Sequence, residues 1–463
     1  MSVPATPSNA AHLLRRAAWG GRPSEVARVV DDGIEASVAR LLDPATAPTL
    51  DEPKATPGFV PYEHEALVAW LVRAAATSSA PAIERLAWFW HGHFATSIEK
   101  VELTDLMLRH YLTLRRLGLG RFDDLLAAMA GDAAMNLWLD LHLSVAGNPN
   151  ENFAREVLEL FSMGAGNGYT QRDVVEAARA FTGYGFELDP TYERIVGSRL
   201  VPTLHDRWAK TFLGRTGDLD GLDVIEIVVG RPECHRFLAE RFWLRYAGTT
   251  PPDGAIGDLA AAFAARLEIR DLLGALLTHP AFYADDVKGG LVGQPVEVVI
   301  RTIRGFELDL PDLTTTTLAD IEEADERHED GDEPPLPPGT LYPWEVFDWL
   351  ETLGQLPLLP PNVGGWPHNE AWLDTNRSAG RLLAGTELGY RLANGDGPVS
   401  DELRRAAAAG SGPLTEAILT RFGRESWSAE TADAIAIARA DGEERGLAAA
   451  IAVAFTSPEV ILL

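Results

Sequence analysis

Residues 150–164 read NENFAREVLELFSMG. Phe153, Val157, Leu158, Leu160 and Phe161 recur at three- and four-residue spacings and Gly164 follows, so the stretch predicts an amphipathic helix that stops at the glycine. Asn148 is the expected N-cap, with Pro149 at the first helical position and Glu151 three residues after the cap. The other face is dense in polar groups: Glu151, Arg155 and Glu159 lie at i, i+4 and i+8, and Asn152, Glu156 and Glu159 form a neighbouring stripe. Two readings stand side by side. The face is either solvated and laced with ordinary ion pairs, or a polar site in which Asn152, Arg155, Glu156 and Glu159 carry chemistry.

The same periodicity runs outward in both directions. It predicts helices over 63–77, 82–94, 103–117, 123–130, 172–182, 234–246, 256–267 and 269–277. Strand-like alternation is scarce, and Arg194–Val201 is the best candidate for a short hairpin. The expected fold is therefore all-α, a multi-helix globular body with long irregular loops. Segments such as VIEIVVGRPECHRFL, LLGALLTHPAFYADD and AIAVAFTSPEVILL share a cadence of helix, proline and apolar residue. That cadence fits a decayed helical-hairpin repeat, or simply proline placed past a helix end.

Residues 314–339 combine nine acidic residues with four prolines and predict a disordered loop or linker. On this reading a helical body spans 1–313, and 340–463 forms a C-terminal helical segment with a Pro/Gly/Trp strap packed on it. The 463 residues are 46% hydrophobic and 23% charged, a globular composition, and no apolar run reaches the roughly 20 residues that span a bilayer. Arg15 and Arg16 are followed by no apolar stretch of the signal-peptide kind, so a cytoplasmic location is expected. A lone Cys234 excludes an intramolecular disulfide. The formal charge of -28 opposes a nucleic-acid partner. Four lysines against 36 arginines speak of the host, GC-rich or salt-adapted, rather than of function.

Three further segments could carry chemistry. In 88–100, WFWHGHFATSIEK, His91 and His93 are spaced as H-x-H. On a helix the two imidazoles point about 200° apart, so joint metal ligation needs a break that Gly92 could supply. Otherwise they are hydrogen-bonded histidines in an aromatic junction. In 204–214, His205, Asp206 and Lys210 sit among Trp208 and Phe212, where His beside Asp is a ligand pair, a base with its orienting carboxylate, or a turn cap. In 354–377, GQLPLLPPNVGGWPHNEAWLDTNR, a rigid strap presents Asn362, His368 and Asn369 beside Trp366 and Trp372. H-E-x-x-H, Walker A and G-x-S-x-G motifs are absent, and GAGNG follows a helix rather than a strand, against a Rossmann reading.

Taken in order, HLLRRAAWG, FWHGHFATSIEK, NENFAREVLELFSMGAG, YTQRDVVEAARAFTGYG, HDRWAKTFLG, the 288–301 region, PPNVGGWP and TSPEVILL resemble the bacterial family called domain of unknown function 1800. The resemblance spans nearly the whole chain. It implies a helical bacterial protein, often encoded beside a protein that looks like the sulfatase and alkaline phosphatase group, and it brings no established reaction. LVGQPVEVV and the acidic stretch depart from the usual pattern, and the lack of an export signal leaves open a protein exported with a partner. Two functions compete. In the first, a metal-dependent enzyme, hydrolase or oxidoreductase, holds a divalent ion through His91, His93, Glu156, Glu159 and His205 or Asp206. Arg155 pairs an anionic substrate, and Lys210, Asn362 and Trp366 line the ligand site. In the second, the chain is a non-catalytic partner or maturation factor for the phosphatase/sulfatase-like neighbour, and its polar motifs serve architecture. A third, small-molecule or glycan binding, would use Trp88, Trp90, Trp366 and Trp372 as stacking surfaces.

Overall fold

The structure is a computed structural model that describes residues 2–55, 63–191, 194–329, 337, 339–395 and 397–463. Helices dominate the described residues, and strands are confined to two antiparallel two-stranded sheets. The elements that position the site are α1 (Pro7–Ala17), α2 (Pro23–Asp32), α3 (His64–Thr77), α4 (Pro81–His93), α5 (Thr104–Leu117), α6 (Glu151–Glu156), α7 (Pro232–Tyr246), α8 (Pro295–Gly305), α9 (Leu318–Glu329), α10 (Thr375–Asn394) and α11 (Glu444–Thr456). No helix among the described residues is long and apolar enough to cross a membrane.

Two hydrophobic cores organise these helices. The first gathers α1, α6 and α7, and the second gathers α3, α8, α10 and α11. Helix α4 belongs to both. Its successive residues Ala87 and Trp88 face the second core while Phe89 and Trp90 face the first. Nearly all of α4 and most of α3 is buried, and the charged residues of α4 are buried with partners, Arg85 on Glu297 and Glu84 on Arg115, so both helices lie inside. Proline at the first position starts α4, where its missing N–H has no intrahelical partner to lose.

Helix α6 begins two residues later than its sequence suggested. Asn150, not Asn148, is the N-cap, accepting from Asn152 N at 2.9 Å, while Asn148 and Val145 pair across a tight turn at Gly147, φ +86°. After Glu156 the helix widens into a π-helix, Val157–Ser162, closed by Met163 N donating to Leu158 O at 3.0 Å. Gly164 ends it at φ +87°, as expected.

The hairpin lies one strand earlier than Arg194–Val201 alone suggested. Tyr184–Leu188 (β1) pairs with Ile195–Leu200 (β2), and Lys210–Phe212 (β3) pairs with Arg215–Gly217 (β4). The acidic stretch also departs from the expected disordered loop, because α9 occupies its first half. Thr317 and Asp320 cap α9 reciprocally at 2.9 and 3.1 Å, and Leu318 and Ile321 bury their side chains. Residues 330–336 and 338 of that stretch lie outside the described residues. The recurrent prolines have a local cause: Pro232, Pro280 and Pro458 each begin the next helical element.

Candidate functional site

The polar face of α6 is a half-buried ion-pair array at the surface. Arg155 reaches Glu151 at 2.8 Å and Glu159 at 3.1 Å, and also donates to Gln171 at 3.0 Å. Asn152 is exposed. Burial, reinforced by Glu159, raises the Glu156 carboxyl above its ordinary range. What α6 contributes to the interior is backbone. The Phe161 carbonyl, left over in the last turn of the π-helix, lies 2.9 Å from His93 Nε2. A carbonyl only accepts, so His93 carries its proton on Nε2. Its Nδ1 lone pair is then buried without a partner among the described residues.

Helix α4 is unbroken at Gly92, so the two imidazoles leave it on different sides. His91 Nε2 accepts from Leu358 N at 3.0 Å, which uses the lone pair a metal would need. His205 Nδ1 is 2.9 Å from Thr182 O. Asp206 is held by Arg179 at 2.8 Å and caps the turn at Trp208 N. Lys210 is buried and donates to Asp206 O, with Asp218 at 3.5 Å. Asn362 is exposed and turns its own loop, accepting from Gly364 N at 2.8 Å. Among the described residues no three His, Cys, Asp or Glu side chains gather where they could hold a metal ion, so the expected joint ligand set is not brought together.

The strap crosses α4 at the Gly92 carbonyl: Gly365, at φ +81°, passes so close that a β-carbon on Gly365 would lie 2.1 Å from Gly92 O. The next strap residue, Trp366, stacks on Trp88 with centroids 4.8 Å apart. Around this junction lies a small cavity of about 20 Å³, lined by His93, Arg241, Arg245, Gln294, Trp366 and His368 among others. It brings together Trp88, His93, Trp366 and His368 from the residues singled out in the sequence, and none of Asn152, Arg155, Glu156, Glu159, His91, His205, Asp206, Lys210 or Asn362 lines it.

Behind the cavity is a buried network. Gln294 Oε1 accepts from Trp88 Nε1 at 3.0 Å, Gln355 Nε2 at 3.1 Å and Arg245 Nη2 at 3.1 Å. Glu297 Oε1 pairs with Arg85 at 2.5 Å and also with Arg245, while its Oε2 caps Gln294 N at 2.8 Å. Burial alone would raise the Glu297 carboxyl, but Arg245 and Arg85 outweigh it and hold the group down at about 2. Arg241 differs from its neighbours. Its guanidinium makes no hydrogen bond or ion pair among the described residues.

Burial, aided by the charge of the cavity, keeps its imidazoles neutral. Burial first, then Arg241, lowers His93 to about 3, and burial with Arg241 and Arg245 lowers His368 to about 4. Arg241, Arg245, Gln294, Glu297 and Arg85 did not stand out in the sequence as site residues. The available signal was arginine at interior positions of apolar helices, as in IERLAWFW and RFWLRY.

The fold and the cavity define a predominantly helical protein with a buried arginine–carboxylate network opening onto a small cationic cavity. The chain belongs to the family described as protein of unknown function DUF1800, whose sequence profile matches residues 12–462. Comparison with curated proteins and with solved structures gave no match.

Proposed function

We propose that the chain binds the acidic group of a small molecule in the cavity where α4, α7 and the strap meet, with His93 Nδ1 as the accepting nitrogen. One observation carries the reading: an unpartnered acceptor and an unpartnered cation, His93 Nδ1 and Arg241, belong to side chains lining the same cavity. Arg241 is only partly buried, so its charge is partly met by solvent, whereas the buried His93 Nδ1 left unpaired costs about 1–3 kcal/mol that a donor on the ligand would recover. A carboxylate or phosphoryl group accepts from Arg241, and a hydroxyl on it or beside it donates to Nδ1. A volume of about 20 Å³ admits one such group, with the rest of the molecule outside, against Leu244.

An imidazole lowered to about 3 holds no proton to give near neutral pH, so the cavity supports binding of the acid rather than proton transfer to it. Arg241 and Arg245 work against a divalent metal ion at this spot, so the charge favours an anion over the metal-dependent form of the enzyme. The test is a panel of small carboxylates and phosphates observed by ligand-detected NMR against the wild type and Arg241→Gln. Binding that is lost in R241Q supports the reading. A panel that binds neither, or binds both alike, removes it.

A second reading is favoured by one surface feature. Trp208 is 80% exposed, Leu204 in the same segment is exposed too, and the Ala146 N to Leu204 O bond ties that segment to the turn that follows the exposed Leu143. Large apolar groups left in water suit a partner, and the phosphatase/sulfatase-like neighbour is the proposed one. Co-expression with that neighbour, followed by purification of each, decides it. A neighbour that never associates and matures without this chain ends that reading.

A further inference from the structure

A second and larger cleft shares no lining residue with the α4–strap cavity. It measures about 740 Å³, within the range of about 300–1,000 Å³ usual for small-molecule sites, and lies between α5, β2 and residues 44–50. One face of α5 forms its wall: Arg109, Leu112, Thr113 and Arg116 lie at i, i+3, i+4 and i+7, and all four line it. Leu50, Ile83 and Leu119 add apolar surface. In a chain of formal charge -28, the charged residues of this lining are three arginines and one aspartate.

The aspartate is held from one side and open on the other. The Asp132 side chain is only 9% exposed. Its Oδ1 accepts from Met135 N at 2.8 Å and faces His110 Nδ1 at 3.0 Å, which fixes the carboxylate in place. Its Oδ2 accepts from no described residue and is not sealed off from solvent. A polar atom set this deep ordinarily has a hydrogen-bond partner, so Oδ2 presents an unused acceptor to the cleft that Asp132 lines.

The arginines differ in what they leave free. Arg115 is taken up by Glu84 at 2.7 Å and by Pro48 O at 2.9 Å. Arg109 donates to Val196 O at 3.0 Å and has Asp105 at 3.9 Å. Arg116 makes no hydrogen bond or ion pair among the described residues, and it is exposed, so its guanidinium is free to close on a bound group. The two signs of charge each exclude a simple ligand. A plain anion meets the Asp132 carboxylate, and a plain amine meets three arginines. A molecule carrying both charges sets each against its opposite, and its apolar part packs on Leu112 and its neighbours.

We propose that this cleft binds a zwitterion with an apolar side chain, its ammonium on Asp132 Oδ2 and its carboxylate on Arg116. A free α-amino acid and a short peptide share that chemistry, and the cleft has room for either.

The experiment is a set of titrations by ligand-detected NMR on the full chain. The probes are leucine, leucyl-leucine, 4-methylpentanoate, which lacks the ammonium, and 3-methylbutylamine, which lacks the carboxylate. The better of leucine and leucyl-leucine should bind at least about tenfold more tightly than either single-charge analogue, and which of the two it is identifies the source. Arg116→Gln should bring that zwitterion down to the level of 3-methylbutylamine, and Asp132→Asn to the level of 4-methylpentanoate. Arg116 is at the surface, so R116Q keeps the test valid if D132N does not fold. Arg241→Gln separates the two cavities, because it removes binding at the α4–strap junction alone. No binding of either zwitterion, binding no tighter than that of the single-charge analogues, or binding that survives R116Q or is lost in R241Q overturns the assignment.

Discussion

Gly365 passes the carbonyl oxygen of Gly92 at a distance that leaves no room for a side chain, since a β-carbon would approach it to 2.1 Å. The contact joins two segments 273 residues apart and sets the spacing of the cavity between α4 and the strap. Gly365→Ala meets both a backbone clash and an unfavourable φ of +81°, so a loss of about 3 kcal/mol or more is expected. Gly92→Ala is the control. A β-carbon there lies 3.7 Å from Trp366 Cε3, in ordinary contact, and the helix gains propensity, so stability should stay within about 1 kcal/mol. Urea unfolding midpoints of the two variants measure the contrast.

The buried histidines predict how stability depends on pH. His12, His91, His93 and His368 are lowered from 6.5 to about 2, 3, 3 and 4, in each case chiefly by burial. Below pH 6.5 the unfolded chain takes up protons that these folded imidazoles refuse. Their contribution is complete above 6.5 and declines as pH falls from there toward the folded values, by roughly 1.4 kcal/mol per histidine per pH unit. Glu65 acts in the opposite sense. Burial first, then Glu322, raises it to about 7, so it adds stability as pH falls from 7 toward 4.5. His64, lowered by burial, adds to the histidines and Glu156 and Glu322, raised by burial, add to Glu65; the four strongly lowered histidines outweigh the carboxyls, and the melting temperature should drop steadily from pH 6.5 to 5. His93→Gln should make that slope shallower; an unchanged slope would show that His93 does not titrate as a buried neutral group.

The helices were legible because their periodicity is local. Pro81, Gly164 and the apolar spacing of 103–117 state their elements within a dozen residues. The site was only partly legible. His93 and Trp366 stood out by residue type, but their neighbour Arg241 reads as an ordinary helix-surface charge until α7 is packed against α4. Arg85 and Glu297 lie 212 residues apart, and no local pattern announces that a long-range pair will bury both. The polar stripe of α6 misled for the converse reason: its spacing is equally that of solvated i,i+4 pairs, and those are what it forms.

Glu297 is the carboxylate that Arg85 and Arg245 share, and it is 2% exposed. Glu297→Gln leaves two guanidinium groups buried around a neutral amide, for an expected loss of about 3–5 kcal/mol. Replacing all three by apolar residues of similar volume, Arg85→Met, Arg245→Met and Glu297→Leu, should recover most of that loss, since no buried charge of the trio then remains. Calorimetry on the single and triple variants tests this. A triple variant no more stable than E297Q would mean that the trio's hydrogen bonds, to Gln294 and the Arg16 carbonyl, matter more than its charges.

Arg155 offers the sharpest comparison between the α6 face and the cavity. Its two ion pairs are about one-third exposed at the surface and one helical turn away on either side, a geometry worth about 0.3–0.5 kcal/mol each. Arg155→Ala should therefore cost less than about 1 kcal/mol, and most of that cost should vanish in high salt, where exposed pairs are screened. It should also leave ligand binding that depends on Arg241 unchanged, because Arg155 does not line that cavity. Urea unfolding at low and high salt, with the NMR panel repeated on R155A, reads both quantities. Loss of binding in R155A with stability retained would move the functional centre from the α4–strap junction to the face of α6.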